Sequence, residues 1–422
     1  MPEKLALLGG KPVIERSFTP YRSHGPEEKA AALAVIESGV LSRFFGSWCE
    51  DFLGGPRVRE FEARWSKWFG VPHSVTVNSA TSGLIAALGA AGVAPGDEVI
   101  VSPLTMSATA TAIVVWNGIP VFADVEPDTF TLDPRAVEAL ITERTAAILV
   151  TDIFGHAGNL DALADIARRH GIVLIEDAAQ APGALYRGRY AGTVADIGIY
   201  SLNYHKHIHT GEGGVCVTRD PVLAERMQMI RNHAEGVVGP KGVADISNMI
   251  GFNFRLGEIE AAMGIAQLDR LAGLVAGRQD VARRLDDGLG DLPGLRVPVV
   301  ADECTHAYYV YPLLLDRARV PVAKARLVEA LRAEGVQGLA PAFANLHLLP
   351  MYQRRIAYGN GGYPWSAGAQ VSYAKGICPV VEEMRDHTLF GLQVCMFQFD
   401  REETDLTIAA FRKVWAHLEA LA

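Results

Sequence analysis

Short apolar runs alternate with helical patterns between residues 74 and 218. Most of these runs are rich in Val and Ile and are followed by polar residues or proline, which is typical of buried strands. Apolar strands that alternate with helices form a mainly parallel sheet with helices on both faces. We therefore predict an α/β fold with a mainly parallel, seven-stranded sheet, over 74–77, 99–102, 120–123, 145–150, 172–175, 197–201 and 215–218.

The chain on either side of this region follows other patterns. Helices are predicted over 26–39 and 57–69, and the aromatic-rich segment 40–56 between them is predicted to cover a pocket or meet a second subunit. A helical stretch runs from Arg255 to about Leu289, and short strands mix with helices after it. The predicted domains are a large domain over 1–255, a helical connection over 256–292 and a small C-terminal α+β domain over 293–422.

Composition narrows the classes of partner. With 49% hydrophobic and 21% charged residues, the chain of 422 residues has enough apolar surface for a large core. The formal net charge of −9 argues against nucleic acid or an anionic membrane as the main partner. The five cysteines form no Cys-x-x-Cys pair, and the start of the chain is unlike a secretory signal. We therefore expect a cytoplasmic protein without structural zinc.

One lysine lies in the loop that joins the last two predicted strands. Lys206 follows the run 197–201 and precedes a glycine-rich turn, 211–214. A lysine held between two buried strands is typical of an amine that forms a Schiff base, whereas a solvated surface charge is the ordinary alternative. The spacing is that of a loop whose lysine carries pyridoxal phosphate, which makes Lys206 the candidate catalytic lysine.

A carboxylate and a polar turn follow two other predicted strands. Asp177 comes after 172–175, and a buried carboxylate needs a partner such as the pyridine nitrogen of that cofactor; an Asp that caps the next helix is the alternative. The turn 78–82 begins a helix whose free N–H groups suit a phosphate, and the Thr81 and Ser201 hydroxyls would add to the site. A simple Ser/Thr N-cap explains the same turn equally well. Because active sites of such sheets lie at the carboxyl ends of strands, we expect these groups to converge.

Three alternating histidines offer a second interpretation of the lysine loop. His205, His207 and His209 surround Lys206, and histidines that alternate on a strand can bind zinc. No carboxylate or cysteine completes an obvious ligand set, so we expect no metal site here.

Four motifs are spread along the chain: VNSATSGLIAAL (77–88), EDAAQAPGALYRGRYAG (176–192), SLNYHKHIHTGEGG (201–214) and GFNFRLGEIEAAMG (251–264). Taken together, they make the chain resemble the DegT/StrS-type aminotransferases over nearly its whole length. These are pyridoxal-phosphate (PLP) enzymes of the aspartate-aminotransferase fold that aminate keto sugars, usually sugar nucleotides. The resemblance implies that the large domain binds the cofactor.

The resemblance also implies a role for each candidate residue. Lys206 would form the Schiff base and carry the proton of the 1,3-shift. Asp177 would pair with the pyridinium nitrogen, and Gln180 would lie against the ring or its hydroxyl. The phosphate would be held by Ala80, Thr81 and Ser201.

A shared active site is a further implication of the family. Asn253 would reach the phosphate bound by the neighbouring subunit, so the enzyme would be a homodimer. Arg255 would support that loop or contact the substrate.

The sequence departs from the family pattern at three places. Met106 stands where an aromatic residue often lies on the cofactor, although a thioether can also pack on a ring. Asp152 stands where a histidine is common, and the segment 390–403 lacks the family's usual small residues and proline. These differences bear on substrate recognition.

The predicted activity is amino transfer. Glutamate or glutamine would load the amine onto PLP, and a keto sugar, above all a nucleotide-linked keto-deoxysugar, would take it in a second half-reaction. The alternatives are amination of a keto-inositol and a related PLP-dependent lyase or dehydratase. A dehydratase branch replaces the lysine by histidine, which Lys206 argues against. A non-catalytic regulator would not need a lysine, an acid and a phosphate site together.

Overall fold

The computed structural model describes residues 4–340 and 342–421 and is built around one large sheet. The strands are β1 His73–Val77, β2 Glu98–Val101, β3 Ile119–Phe122, β4 Thr145–Thr151, β5 Val173–Asp177, β6 Leu185–Tyr186, β7 Arg189–Tyr190, β8 Ile197–Ser201, β9 Gly214–Thr218, β10 Leu295–Arg296, β11 Tyr311–Leu315, β12 Leu339–Ala340 and β13 Leu389–Leu392. Seven of them form the large sheet in the order β1-β9-β8-β5-β4-β2-β3, which confirms the predicted α/β fold.

Helices surround this sheet and follow it along the chain. They are α1 Pro26–Ser38, α2 Pro56–Phe69, α3 Ala80–Ala90, α4 Ser107–Val115, α5 Pro134–Ala139, α6 Leu160–His170, α7 Pro221–Arg231, α8 Ala234–Lys241, α9 Glu258–Leu289, α10 Lys324–Ala333, α11 Pro350–Arg354, α12 Pro379–Glu383 and α13 Arg401–Trp415. In α6, Leu160, Leu163 and Ile166 recur at helical spacing and are buried, and Gly171 ends the helix at φ 65°. Within the described residues, none of the helices is both long and apolar enough to cross a membrane.

The sheet is mainly parallel, as predicted, with β9 as an exception. The strands β3, β2, β4, β5 and β8 run parallel to one another, whereas β9 runs antiparallel to both of its neighbours, β1 and β8. Antiparallel neighbours can be joined by a short connection, while parallel neighbours need a crossover. The chain therefore passes from β8 to β9 through one loop, residues 202–213, and this loop contains Lys206.

Alternate residues of the central strands belong to two different apolar cores. On β2, Val99 and Val101 pack into the core on one face, and Ile100 packs into the core on the other. Leu149 and Ile148 of β4 divide in the same way. Because strand side chains alternate between faces, these two cores cover the sheet on both sides.

A second, smaller sheet follows α9. Its strands are ordered β10-β11-β13-β12 and are antiparallel. Leu5 and Phe18, from the start of the described chain, pack into the core of this sheet together with Leu285 of α9. Leu271, earlier in α9, belongs to a core of the large sheet, so α9 joins the two units. The division of the chain at residues 255 and 293 stays a prediction.

Candidate active site

The carboxyl ends of β5 and β8 open into one cavity. Asp177 is the last residue of β5, Ser201 is the last residue of β8, and the two strands are paired. The start of α3 and the β8–β9 loop form further walls, and two aromatic residues come from beyond α9. The lining residues are Ser79, Ala80, Thr81, Leu84, Thr105, Met106, Ala108, Thr109, Asp177, Ala179, Gln180, Ser201, Asn203, His205, Lys206, Glu212, Tyr309 and Phe343.

Asp177 is buried and held by two hydrogen bonds. Thr109 Oγ1 donates to its Oδ2 at 3.0 Å, and the Ala179 backbone N donates to its Oδ1 at 3.2 Å. Burial raises the pKa of this carboxyl, while the two hydrogen bonds and the charge of Lys206 act in the opposite direction. The interpretation of Asp177 as the cap of a following helix is wrong, because residues 178–184 consist of turns and irregular chain and contain no helix.

A chain of buried threonine hydroxyls supports the Thr109 donor. Thr151 Oγ1 donates to Thr105 Oγ1 at 3.3 Å, and Thr105 Oγ1 lies 3.0 Å from Thr109 Oγ1. A buried hydroxyl requires a partner within the protein. Since Thr105 accepts a hydrogen bond from Thr151, its own hydroxyl can donate to Thr109, and the Thr109 hydroxyl then donates to Asp177.

The first turn of α3 presents backbone donors to the cavity. Ser79 is the N-cap of α3, and its Oγ accepts a hydrogen bond from Ser82 N at 3.1 Å, so the Ser/Thr cap of the sequence interpretation is present. N–H groups in the first turn of a helix have no intrahelical acceptor. Ala80 and Thr81 carry such groups and line the cavity together with Ser201, an arrangement that suits a phosphate.

Gly214 lets β9 approach the start of α3. A Cβ at this position would lie 2.8 Å from the backbone nitrogen of Ala80, closer than side-chain atoms normally come. The backbone of β9 therefore lies directly against the turn that begins α3. This contact explains why the glycine-rich turn after Lys206 belongs to the same site as the helix start.

Lys206 reaches the cavity from the β8–β9 loop. Its side chain is buried, and Nζ lies 4.1 Å from the centre of the Tyr309 ring. Burial lowers the pKa of the amine to about 8, although the charge of Asp177 acts in the opposite direction. A lowered pKa increases the neutral, nucleophilic fraction that a Schiff base requires. Lys206 is therefore not a solvated surface charge.

Phe154 joins two walls of the cavity. Its N–H donates to Gln180 Oε1 at 2.8 Å, and its carbonyl accepts from Tyr309 N at 2.8 Å. Phe154 has a φ of 62°, which is rare for a bulky residue. The following Gly155 has no room for a side chain, because a Cβ would lie 2.8 Å from Tyr308 N. The segment before β11 is thereby fixed against the large sheet, with Tyr309 in the cavity.

The three histidines of the lysine loop have separate partners. His205 Nδ1 lies 2.8 Å from Tyr309 OH, and His207 Nε2 lies 2.8 Å from the carbonyl of Ala307. The His209 ring packs against His24, with 4.0 Å between ring centres. Among the residues that the structure describes, no group of three or more His, Cys, Asp or Glu side chains is placed to hold a metal ion.

Two of the predicted cofactor residues lie at the edge of the cavity or outside it. Met106 lines the cavity but is 58% exposed. Asn253 is exposed, its Oδ1 accepts a hydrogen bond from Arg255 Nε at 2.7 Å, and it does not line the cavity of its own chain. Its carbonyl accepts from Asn78 Nδ2 at 3.3 Å, which attaches the Asn253 loop to the end of β1.

Asp152 forms a buried acid pair with Glu176. Backbone N–H groups of Gly192 and Val194 donate to the Glu176 carboxylate at 2.6 and 3.2 Å, and these donors stabilise its negative charge. Burial and that charge raise the pKa of Asp152 well above its usual range. Burial also raises the pKa of Glu176, and Asp152 lies outside the cavity lining.

Five polar lining residues were not identified as site residues from the sequence: Thr105, Thr109, Asn203, Glu212 and Tyr309. Asn203 and Glu212 stand within the lysine-loop motif, so their polar character was the available signal. Thr109 lies one helical turn after Met106 in a run of small residues. Tyr309 carried no local signal, because only the tertiary fold brings it to the cavity.

The residues present fit PLP. That cofactor needs an amine for its aldehyde, an acid for its pyridine nitrogen and an anion site for its phosphate. Lys206, Asp177 and the first turn of α3 offer these three groups around one cavity. The fit rests on groups of this chain alone.

Several known proteins are similar to this chain in sequence or in architecture. Residues 46–388 match the model of the DegT/DnrJ/EryC1/StrS aminotransferase family. The L-glutamine:2-deoxy-scyllo-inosose aminotransferase of Streptomyces fradiae is 35% identical, with 100% of both chains covered. The GDP-perosamine synthase of Caulobacter vibrioides is 37% identical over 71% of this chain and 79% of its own. The crystal structure of S. venezuelae DesV in complex with a ketimine intermediate has a TM-score of 0.75 and 32% identity, covering 92% of this chain and 93% of that one.

Proposed function

The chain belongs to the DegT/DnrJ/EryC1/StrS aminotransferase family, whose enzymes depend on PLP, and we propose that it moves an amino group from glutamine or glutamate to the ketone of a sugar or cyclitol. One observation carries this proposal. Lys206 and Asp177 are both buried and line the same cavity, beside the first turn of α3. A lysine and an acid so placed serve both halves of an amino transfer.

Lys206 would act in both half-reactions. When bound, PLP supplies an electron-accepting ring that stabilises negative charge beside the reacting amine. The Lys206 amine, with a pKa of about 8, would hold the cofactor covalently at rest. Once displaced by the substrate amine, Nζ would carry the proton of the 1,3-shift as a general base and acid.

Asp177 and the surrounding donors would hold the ring in place. The carboxylate would keep the pyridine nitrogen protonated, and the Thr109 hydrogen bond favours its ionised form. Gln180 uses its Oε1 for the Phe154 N–H, which leaves its NH₂ group for the ring or its hydroxyl. The phosphate would bind the first turn of α3 at Ala80 and Thr81, beside Ser201.

A homodimer with shared active sites is part of the proposal. Asn253 is exposed beside the end of β1, where a neighbouring subunit could bring a phosphate. Phe45 and Trp48, in the aromatic segment 40–56, are 60% and 41% exposed. Large exposed aromatic side chains favour a protein interface. Sedimentation of the holoenzyme would measure its oligomeric state, and we expect a dimer. We expect the Asn253→Ala variant to remain a dimer and to bind the cofactor more weakly.

Two acceptor classes have support. The Streptomyces fradiae relative acts on a cyclitol ketone by its name, which supports a keto-inositol. The Caulobacter relative is a GDP-perosamine synthase, which supports the nucleotide-linked keto-deoxysugar favoured by the family resemblance. Identities of 35% and 37% do not separate the two classes.

A two-step assay tests the proposed function. The holoenzyme is first incubated with glutamine or glutamate, and the visible absorbance of the bound cofactor is followed. Excess donor is removed, and keto-inositols or nucleotide-linked keto sugars are added while the absorbance returns. We expect wild-type protein to complete both steps and Lys206→Ala to complete neither. The control Lys375→Ala, at a side chain that is 67% exposed, should match the wild type.

The outcomes separate the remaining classes of enzyme. Amine transfer by Lys206→Ala would contradict the assignment of the lysine. Release of ammonia without an aminated product would favour a lyase.

A cytoplasmic location is also proposed, and it is supported by the five cysteines, all of which have free thiols.

A further inference from the structure

The ring of Tyr309 lies against the amine of the candidate catalytic lysine. Lys206 Nζ is 4.1 Å from the centre of this ring, and both side chains line the cavity. At this distance the face of a phenol ring attracts an ammonium group, most strongly where water is excluded. Lys206 is buried and Tyr309 is half-buried. The contact therefore favours the protonated form of the amine.

The Tyr309 hydroxyl is held by the residue that precedes Lys206. Tyr309 OH lies 2.8 Å from His205 Nδ1. Burial lowers the pKa of His205 to about 4, so its imidazole is neutral at neutral pH and Nδ1 can accept a hydrogen bond. Burial also raises the pKa of Tyr309, which keeps the phenol protonated. The two groups therefore form a neutral hydrogen-bonded pair beside the amine.

The backbone of Tyr309 is fixed by the loop that follows β4. The N–H groups of Tyr309 and Val310 both donate to the Phe154 carbonyl, at 2.8 and 3.2 Å. With its backbone and its hydroxyl both held, the ring keeps its place against the amine. All of these contacts are made within one chain, so a neighbouring subunit is not needed to form them.

The proposed function makes two demands on the Lys206 amine. Nζ takes up one proton as a general base and releases it as a general acid, so it is an ammonium group between the two events. Burial disfavours that ammonium form. Once the lysine is released from the cofactor, its flexible side chain must also stay at a fixed distance from the reacting carbon atoms. An aromatic ring beside Nζ answers both demands.

We propose that Tyr309 is a positioning residue for Lys206: its ring holds the released amine and stabilises its protonated form, and His205 fixes the ring through the hydroxyl. Neither Tyr309 nor His205 exchanges a proton with the substrate. Tyr309 acts on the amine through the face of its ring, and His205 acts through Tyr309. This inference rests on the proposed function and adds two residues to its proton transfer.

Other titratable groups also lie near the Lys206 amine. The charge of Asp177, at the end of β5, raises the pKa of the amine. Burial raises the pKa of the Cys395 thiol, after β13, to about 11, and it lowers the pKa values of His205 and His207 to about 4 and about 3. The thiol and both imidazoles are therefore neutral near pH 8, where the amine titrates. A substitution of Tyr309 leaves each of these groups in place.

The titration of Lys206 in cofactor-free protein tests the ring contact without turnover. Lys206 and the exposed Lys375 are labelled with an acylating reagent at a series of pH values, and peptide mapping gives a midpoint for each. In Tyr309→Leu we expect the Lys206 midpoint to lie about one pH unit below that of the wild type, because the ammonium form loses the ring. Tyr309→Phe keeps a ring and should lower the midpoint less. The Lys375 midpoint should not move.

A role in packing alone predicts the opposite sign. Leucine is smaller than tyrosine, so water can enter beside the amine, and hydration would move the midpoint up toward the ordinary value of 10.5. An unchanged or higher midpoint in folded Tyr309→Leu would overturn the inference. If Tyr309→Leu does not fold, the milder variants of the hydrogen-bonded pair decide.

A double-mutant cycle on the holoenzyme tests that pair. Tyr309→Phe and His205→Ala each remove the same hydrogen bond, so we expect each to slow the first half-reaction with glutamate about fivefold. The double variant should be no slower than either single variant. His205→Asn, whose side-chain amide can accept in place of Nδ1, should recover most of the rate. Losses that multiply in the double variant would overturn the inference.

The division between KM and the maximal rate separates positioning from substrate binding. In Tyr309→Phe we expect KM for glutamate to stay within about twofold, with a larger isotope effect for glutamate deuterated at its α-carbon. A raised KM with an unchanged maximal rate would overturn the inference, because the hydroxyl would then bind the substrate. Tyr363→Phe, at an exposed tyrosine, is the matched control.

The two proposals fail in different ways. If the wild type does not take an amine from glutamine or glutamate, the proposed function fails, whatever the midpoint in cofactor-free protein. If the wild type takes the amine but the Lys206 midpoint does not fall in Tyr309→Leu, the inference about Tyr309 and His205 alone fails.

Discussion

The cavity has two ends that are built in different ways. At the cofactor end, formed by Asp177, Thr109 and Ser201, the side chains stand on or beside buried strands, and Asp177 and Ser201 are 5% and 6% exposed. At the other end, which we call the loop end, Glu212 is exposed and Asn203 is half-buried, and both lie on the β8–β9 loop. Lys206 comes from the same loop, but its side chain is buried against the Tyr309 ring. The strands and the buried lysine therefore fix the reacting groups, whereas exposed side chains of a loop can change without disturbing the sheet.

Removal of the charge at the cofactor end should have the largest effect. Asp177→Asn keeps the shape and the Thr109 contact but loses the negative charge that would face the pyridine nitrogen. We expect amino transfer to fall by about 10³-fold, in line with the loss of a preorganised electrostatic contact. The rate of the first half-reaction measures it. Asp165→Asn, at a side chain 62% exposed, is the control. If the rate of the first half-reaction falls less than tenfold in Asp177→Asn, the charge of Asp177 is not what makes the cofactor end different from the other end of the cavity.

The reactivity of the Lys206 amine should show the next largest effect. Burial lowers the pKa of its amine from 10.5 to about 8, so in cofactor-free protein near pH 7 it should react with an acylating reagent about 10²-fold faster than a surface lysine. Peptide mapping against pH measures this difference. Labelling with the pH profile of an ordinary lysine would contradict the burial of the amine.

The same pKa shift predicts a change of stability with pH. Between pH 8 and 10.5 the unfolded chain binds more protons than the folded one, so the free energy of unfolding should rise with pH across this window. In Lys206→Met the rise should be smaller, because only the similar contribution of Lys324, whose pKa burial also lowers to about 8, remains. Denaturant titrations of cofactor-free protein at several pH values measure it.

The sequence indicated Asp177, Ser201 and Lys206 better than it indicated Tyr309. Asp177, Ser201 and Lys206 each stand at or just after an apolar strand, and local periodicity predicts that position. Tyr309 meets His205 from 104 positions away, which no local pattern encodes. The direction of β9 was also hidden, because an apolar run predicts a strand without its orientation. Long-range packing decides both features.

Removal of one hydroxyl from the threonine chain behind Asp177 should have the smallest effect on amino transfer. Thr109→Val keeps the shape and removes the donor to Asp177 Oδ2, which raises the pKa of the carboxyl. We expect about a tenfold loss of kcat/KM. Thr105→Val removes the next hydroxyl, 3.0 Å from that of Thr109, and should cost less. Equal losses in both variants would mean that packing, and not the hydrogen bond, is responsible.

The account depends most on a covalent bond between PLP and Lys206. Reduction of the holoenzyme with borohydride makes a Schiff base permanent, and peptide mass spectrometry then locates the modified lysine. We predict one pyridoxyl group per chain, on Lys206 of the β8–β9 loop. A holoenzyme that retains its cofactor but carries the label on another lysine, or on none, would contradict the account.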